Sequence, residues 1–142
     1  MLSDYYQIEL KDFDQDFFDL LETVGQIKQP DFKVLPYFHT VYANGEKAGI
    51  VGYQPASLPD TGNVEIILAP EYRGKGLIAK IYDTLAQEHH LKTLYATINL
   101  RNMTSLSAHE KIGFQRLPAE KQAQLKEKGI IGEGEMRLEK SV

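Results

Sequence analysis

The sequence predicts a mixed α+β domain, and three observations predict it. Short β-prone runs alternate with amphipathic stretches at helical spacing, and an Asn44-Gly45 reversal joins two of the runs as a hairpin. The apolar run 64–69 is followed by a helical pattern over 74–90 and then by an alternating run over 94–100, which reads as a parallel crossover. Hairpins plus a crossover make a mixed sheet. Length agrees: the 142 residues fall within the roughly 100–200 of one domain, so 1–142 is expected to fold as a single unit.

Each element has a local reason. Residues 5–10 are aromatic and β-prone, and Asp12 or Asp14 then caps a helix carrying Phe13, Phe17, Leu20, Leu21 and Val24 on one face. Residues 27–39 hold Pro30 and Pro36 among Phe32, Leu35, Tyr37 and Phe38, too broken for one helix and too apolar for a solvated linker. The hairpin pairs 40–43 with 48–53, and a loop over 54–62 leads into 64–69. That run is apolar on both faces, as a central strand must be, and Pro70 ends it. In 74–90, Leu77, Ile78, Ile81, Tyr82 and Leu85 share a face. Asn102 caps a further helix through Glu110-Lys111, stopped at Gly113, with a strand over 114–117. A polar helix over 119–128 ends at Gly129, and 135–139 alternates like an edge strand.

Composition narrows the function. Sixteen basic against twenty acidic residues give a net charge of -4, the wrong sign for neutralising a phosphate backbone, so no nucleic-acid partner is expected. Seven acids in the first thirty residues face only Lys11 and Lys28, which leaves the remainder near neutral and makes any basic site local. No stretch has the roughly 18 apolar residues of a membrane span, and the start lacks the basic and apolar regions of a signal peptide. The expectation is a cytoplasmic protein beginning at Met1, with no membrane partner. The absence of cysteine removes disulfides, thiolate nucleophiles and Cys-ligated zinc. His39, His89, His90 and His109 show no metal spacing; His89-His90 reads as the polar end of a helix, and no metal is expected.

The chemical signal is the turn Arg73-Gly74-Lys75-Gly76-Leu77-Ile78-Ala79 between an apolar strand and an amphipathic helix. A helix start presents unpaired amides and the positive end of its dipole, and glycines let a phosphate approach closely. The two glycines bracketing four residues before Lys-Ser/Thr of a P-loop are absent. Gly74, Gly76 and Ala79 satisfy a dinucleotide fingerprint, yet no acid lies between Glu88 and Glu110 to take the ribose hydroxyls. A dinucleotide-binding oxidoreductase is therefore the remote alternative, and a tight turn without a ligand is another.

The stretch 69–76 resembles the acetyl-CoA loop of the GNAT superfamily of N-acetyltransferases, whose pattern is Arg/Gln-x-x-Gly-x-Gly/Ala, with Arg73 and Gly76 at its first and fourth positions. The last position is Ile78, a departure. A second match is Asn102-Met103-Thr104-Ser105 followed by His109-Glu110-Lys111-Ile112-Gly113-Phe114, similar to the family's Asn-containing turn and its Tyr/His-Glu-Lys-x-Gly-Phe helix end. The resemblance implies a GNAT fold: a mostly antiparallel sheet flanked by helices, with a splayed parallel strand pair gripping acetyl-CoA. It further implies pantetheine pairing at Leu68 and Ala69, pyrophosphate on the amides of Arg73, Gly74, Lys75, Gly76, Leu77 and Ile78, and Asn102 on the far side of the pantetheine arm. The implied activity is acetyl transfer from acetyl-CoA, as co-substrate, to a primary amine of a small molecule or peptide; relatives often form homodimers. The alternative is an acyl-CoA-binding module of the same fold without turnover.

Acetyl transfer needs a base for the amine, donors for the carbonyl oxygen and an acid for the thiolate. A backbone amide near Leu68 suits the oxygen. Glu65, the one acid inside the central strand, is either the base or a structural carboxylate, and alternation puts it on the face opposite Leu68 unless a bulge intervenes. His109 stands where many relatives have Tyr and is either the acid or a half-buried core histidine, with Tyr95, Tyr82 and Tyr53 as other donors. Phe32, Tyr37, Phe38, His39 and Tyr42 are either an acceptor pocket or core.

Overall fold

The structure, a computed structural model, describes residues 2–21 and 27–142. Among them, seven strands form one sheet: β1 (Ile8–Asp12), β2 (Phe38–Ala43), β3 (Glu46–Pro55), β4 (Thr61–Leu68), β5 (Thr93–Asn99), β6 (Gln115–Arg116) and β7 (Glu135–Ser141), in the spatial order β1-β2-β3-β4-β5-β7-β6. The helices are α1 (Gln15–Leu20), α2 (Ile78–His89), α3 (Met103–Lys111) and α4 (Ala119–Glu127). Every pairing is antiparallel except that of β4 with β5, so the expected mixed sheet with one parallel crossover is present.

The hairpin turns at Asn44 and Gly45, both at positive φ (49° and 81°), the pair of left-handed residues that a tight reversal requires. Register then sorts the two faces. Val51, Tyr53, Val64 and Ile66 point to one side, where the Tyr53 ring meets His89 of α2; Ile50, Gly52, Asn63, Glu65 and Ile67 point to the other. On that second side the amide of Asp14 donates to Thr40 Oγ1, and the Asp14 carboxylate caps α1 by accepting from Phe17. Helix α2 buries Ile81, Tyr82, Leu85 and Ala86, and one hydrophobic core runs from Phe18 through the sheet to Leu138.

Several boundaries differ from expectation. A 3₁₀ turn occupies Leu2–Tyr5, which pushes the first strand on to Ile8–Asp12. Val24, assigned to the first helix, lies outside the described residues. Helix α2 starts at Ile78 rather than residue 74, because Gly74 and Gly76 take positive φ and cannot continue a right-handed helix. The largest correction concerns β7. It is not the edge but lies between β5 and β6, with seven pairs to β5. Its alternation reads as half-solvated because Glu135, Arg137 and Glu139 line an internal cleft.

Candidate active site in the split of the sheet

Strands β4 and β5 pair at only three positions, Thr61 with Thr93, Gly62 with Leu94 and Asn63 with Tyr95. Both then run on for several residues without a ladder between them, leaving the facing backbone edges unpaired. A cleft of about 1380 Å³ opens there, walled by residues 63–66 of β4, 95–99 of β5, Arg137 of β7, and Tyr82, Asn102 and His109 from the helices. Side chains bridge the mouth of the split: Thr97 Oγ1 donates to Asn63 Oδ1 at 3.2 Å and accepts from Arg137 Nε at 2.9 Å. The Arg137 guanidinium also lies 5.7 Å from the Tyr95 ring centroid.

Glu65 lines this cleft. Its backbone pairs with Gly52, and no bulge interrupts β4, so alternation holds and Glu65 shares a face with Asn63 and Ile67 rather than with Leu68. Because the split passes through the sheet, a residue on that face still reaches it. Gln54 Nε2 stands 3.5 Å from the carboxylate, and burial pushes the Glu65 carboxyl above the ordinary range.

His109 is buried, 5 % exposed, against Phe114 and Tyr82. Its Nδ1–H donates to the Ser105 carbonyl at 2.8 Å, which fixes the tautomer and leaves Nε2 to accept from the Tyr82 hydroxyl at 2.9 Å. Burial lowers the imidazole pKa against the opposing pull of the Ser105 carbonyl, and burial also drives the Tyr82 phenol far up, helped by Glu65. Both groups are therefore neutral at pH 7. Tyr82 also lines the cleft, whereas Tyr53 packs under α2 against Tyr37 and His89.

The glycine-rich turn lies at the start of α2, beyond the cleft walls named above. Arg73 Nε donates to the Leu68 carbonyl at 2.9 Å, tying the turn to the end of β4. The Ala69 amide donates to the Ala48 carbonyl, toward β3, so by alternation the Leu68 amide points to the opposite edge, the one facing the split. Among the described residues no side chain caps α2, which leaves its first amides without a capping partner there, and the space beside Gly74 is open. Ile78, the departure from the family pattern, packs partly buried against the core. Asn102 caps α3 by accepting from the Ser105 amide at 3.1 Å and borders the cleft.

The five aromatic and histidine residues considered for an acceptor pocket are not brought together as one. Phe32 is exposed, Phe38 is core, and none of the five lines the cleft. Asn63, Thr97 and Arg137 line it instead. Sequence reasoning missed them because a polar strand position facing an internal split has the same pattern as one facing solvent.

The family model described as the acetyltransferase (GNAT) family matches residues 2–114. The chain belongs to the GNAT acetyltransferase family. Among solved structures, the Campylobacter jejuni N-acetyltransferase PseH in complex with acetyl coenzyme A aligns with a TM-score of 0.65 at 13 % identity, over 95 % of this chain and 99 % of that one. A GNAT-family acetyltransferase from Bacillus anthracis gives 0.64 at 16 %, over 95 % of each chain. N-acetylglutamate synthase from Neisseria gonorrhoeae, complexed with coenzyme A and N-acetyl-glutamate, gives 0.61 at 17 %, over 95 % of this chain and 35 % of that one. At these identities the likeness is one of fold. No curated protein matches the sequence. No helix among the described residues is long and apolar enough to cross a membrane.

Proposed function

We propose that this GNAT domain transfers the acetyl group of acetyl-CoA to a primary amine, by direct attack with both substrates bound. The observation that carries the reading is the split between β4 and β5 after three pairs, with a partly buried carboxylate, Glu65, on its wall. Pantetheine would run along the β4 edge that faces the split and end near Leu68, with Asn102 across from it; Ala69, whose amide and carbonyl are taken by Ala48 and Tyr72, would offer it no backbone pairing. The Arg73 amide is already given to the Pro70 carbonyl, so the pyrophosphate would take the amides from Gly74 to Ile78, with charge from Lys75.

The chemistry follows from what each group can do. Glu65, its carboxyl raised by burial, accepts a proton from the acceptor ammonium and passes it to solvent. The neutral nitrogen bonds to the thioester carbon, and the Leu68 amide holds the oxygen as it becomes anionic. Neutral His109 first takes up the second nitrogen proton through the Tyr82 hydroxyl; the C–S bond then breaks, and His109 returns that proton to the sulfur by the same path. When His109 is protonated, its Nε2–H donates to the Tyr82 oxygen and frees the phenol hydrogen for the cleft. The second nitrogen proton balances the one given to sulfur. Arg137, held by Thr97, suits an acceptor that carries a carboxylate as well as its amine.

Thiol release on mixing the protein with acetyl-CoA and a panel of amines tests this, with free amino acids set against neutral amines of like size. Release with at least one amine is expected, fastest with acidic or zwitterionic acceptors. Tight acetyl-CoA binding without release would make the protein a binding module, and stabilisation by NADH but not CoA would overturn the reading.

A further inference from the structure

A second cluster of chemically capable groups lies outside the cleft, at the C-terminal end of α2. His39 of β2 meets Glu88 and His89 there, and these three form a group able to hold a metal ion. The Nε2 atoms of His39 and His89 are 2.7 Å apart, and Glu88 Oε2 lies 3.2 Å from the first and 3.8 Å from the second. A point equidistant from these three atoms is about 1.9 Å from each, close to the roughly 2.0–2.2 Å of zinc to imidazole nitrogen or carboxylate oxygen.

We infer that His39, Glu88 and His89 form a binding site for a divalent transition-metal ion of the zinc type, clamping the end of α2 to β2. Two further features fit. The His39 Nδ1–H donates to the Lys11 carbonyl at 3.3 Å, which fixes the tautomer that turns the Nε2 lone pair toward the site, the usual support of a metal-bound histidine. The ring of His89 is held edge-on by Tyr37 and Tyr53, with centroids 5.9 and 5.2 Å away. Two imidazoles with one carboxylate favour a borderline cation over calcium or magnesium, which prefer oxygen. The imidazoles are 13 % and 17 % exposed and Glu88 46 %, so an ion can enter along the carboxylate and keep a water as fourth ligand. The clamp would pin α2 at the end opposite its glycine-rich turn, and it does not depend on the acetyl-transfer reading.

Titrating the full chain with Zn²⁺, and with Co²⁺ as a coloured probe, tests the site. One ion per chain is expected, with a Co²⁺ visible spectrum of low coordination number. His39→Ala and His89→Ala should each weaken binding by more than the roughly 10–100-fold that loss of a supporting partner costs. His90→Asn, which removes the neighbouring histidine and suits its left-handed backbone, should leave affinity unchanged. Glu88→Gln, on a half-exposed side chain, should weaken binding about 10-fold and keeps the test open if a histidine variant fails to fold. Absence of binding, a Glu88→Gln protein with unaltered affinity, or equal losses from His90→Asn and His89→Ala would overturn the inference.

Discussion

The two sides of β4 differ sharply. Toward β3 it forms an unbroken antiparallel ladder of seven pairs from Gly49–Leu68 to Pro55–Gly62, while toward β5 it forms three pairs and then parts. One strand thus serves as core on one edge and as an open backbone template on the other. A sheet that split symmetrically would have no rigid wall against which to place a carboxylate. Here the ladder holds Glu65 in register opposite Gly52, and the split gives it a cleft to face.

The largest effect should come from breaking the ladder. A Cβ at Gly49 would stand 2.3 Å from the Ile67 carbonyl oxygen, a backbone atom that cannot move without separating β3 from β4. Gly49→Ala should cost more than about 3 kcal/mol, read as the urea midpoint. At Gly74 nothing lies within 4 Å, so the cost of Gly74→Ala is only that of a left-handed alanine, about 1–2 kcal/mol. Equal losses would mean that the ladder is no stiffer than the turn.

On the open edge, Glu65→Gln should lower turnover by about 10²–10⁴-fold and remove the acidic limb of the pH profile. That limb should fall above the ordinary carboxylate range, since burial raises the Glu65 carboxyl. Stability must move the other way. A raised carboxyl favours the folded state below its unfolded pKa, and this advantage is lost as pH rises through the folded value. At pH 7 Glu65→Gln should therefore melt at a higher temperature than the native protein, the gap closing in acid. A variant that is less stable at pH 7 would make Glu65 a structural anchor.

The sequence made the ladder side easy to read and the split hard. Asn44-Gly45, the two-faced apolar run ending at Pro70, and the stripe of Ile81, Tyr82 and Leu85 are local signals, and each element formed close to where its pattern lies. The glycine-rich turn was equally legible as a reversal, because Gly74 and Gly76 take the positive φ that the chain needs ahead of an amphipathic helix. The walls of the split were not. Asn63 with Thr97, and Thr97 with Arg137, meet across 34 and 40 residues, and the place of β7 between β5 and β6 depends on long-range pairing that no local pattern encodes. His39 and His89, 50 residues apart, were unreadable as a pair for the same reason.

His109 sharpens the comparison from the helix side. His109→Phe keeps a ring in contact with Phe114 but leaves the Tyr82 hydroxyl without its acceptor. Turnover should fall by about 10²-fold or less with acetyl-CoA affinity nearly unchanged. In the native protein the lowered imidazole pKa stabilises the fold above its unfolded value of about 6.5, and this contribution is lost as pH falls through the folded one. His109→Phe should therefore lose less stability than the native chain on acidification over that window. Unchanged turnover would confine His109 to the core.

The smallest expected effect separates two jobs at Asn102. Its Oδ1 caps α3, and its amide nitrogen is free to meet a ligand in the cleft. Asn102→Ala removes both and should cost about 1 kcal/mol through loss of the cap. Asn102→Asp keeps an oxygen for the Ser105 amide, and a negative charge near a helix start is favourable, so stability should be unchanged within a few tenths of a kcal/mol. The carboxylate cannot donate, so if the amide nitrogen grips the pantetheine arm, Asn102→Asp should weaken acetyl-CoA binding several-fold, about what one hydrogen bond of roughly 1 kcal/mol is worth. Calorimetric titration of both variants decides the point. Equal affinity in Asn102→Asp and the native protein would leave Asn102 as a cap alone, and the far wall of the split would then hold its ligand through backbone.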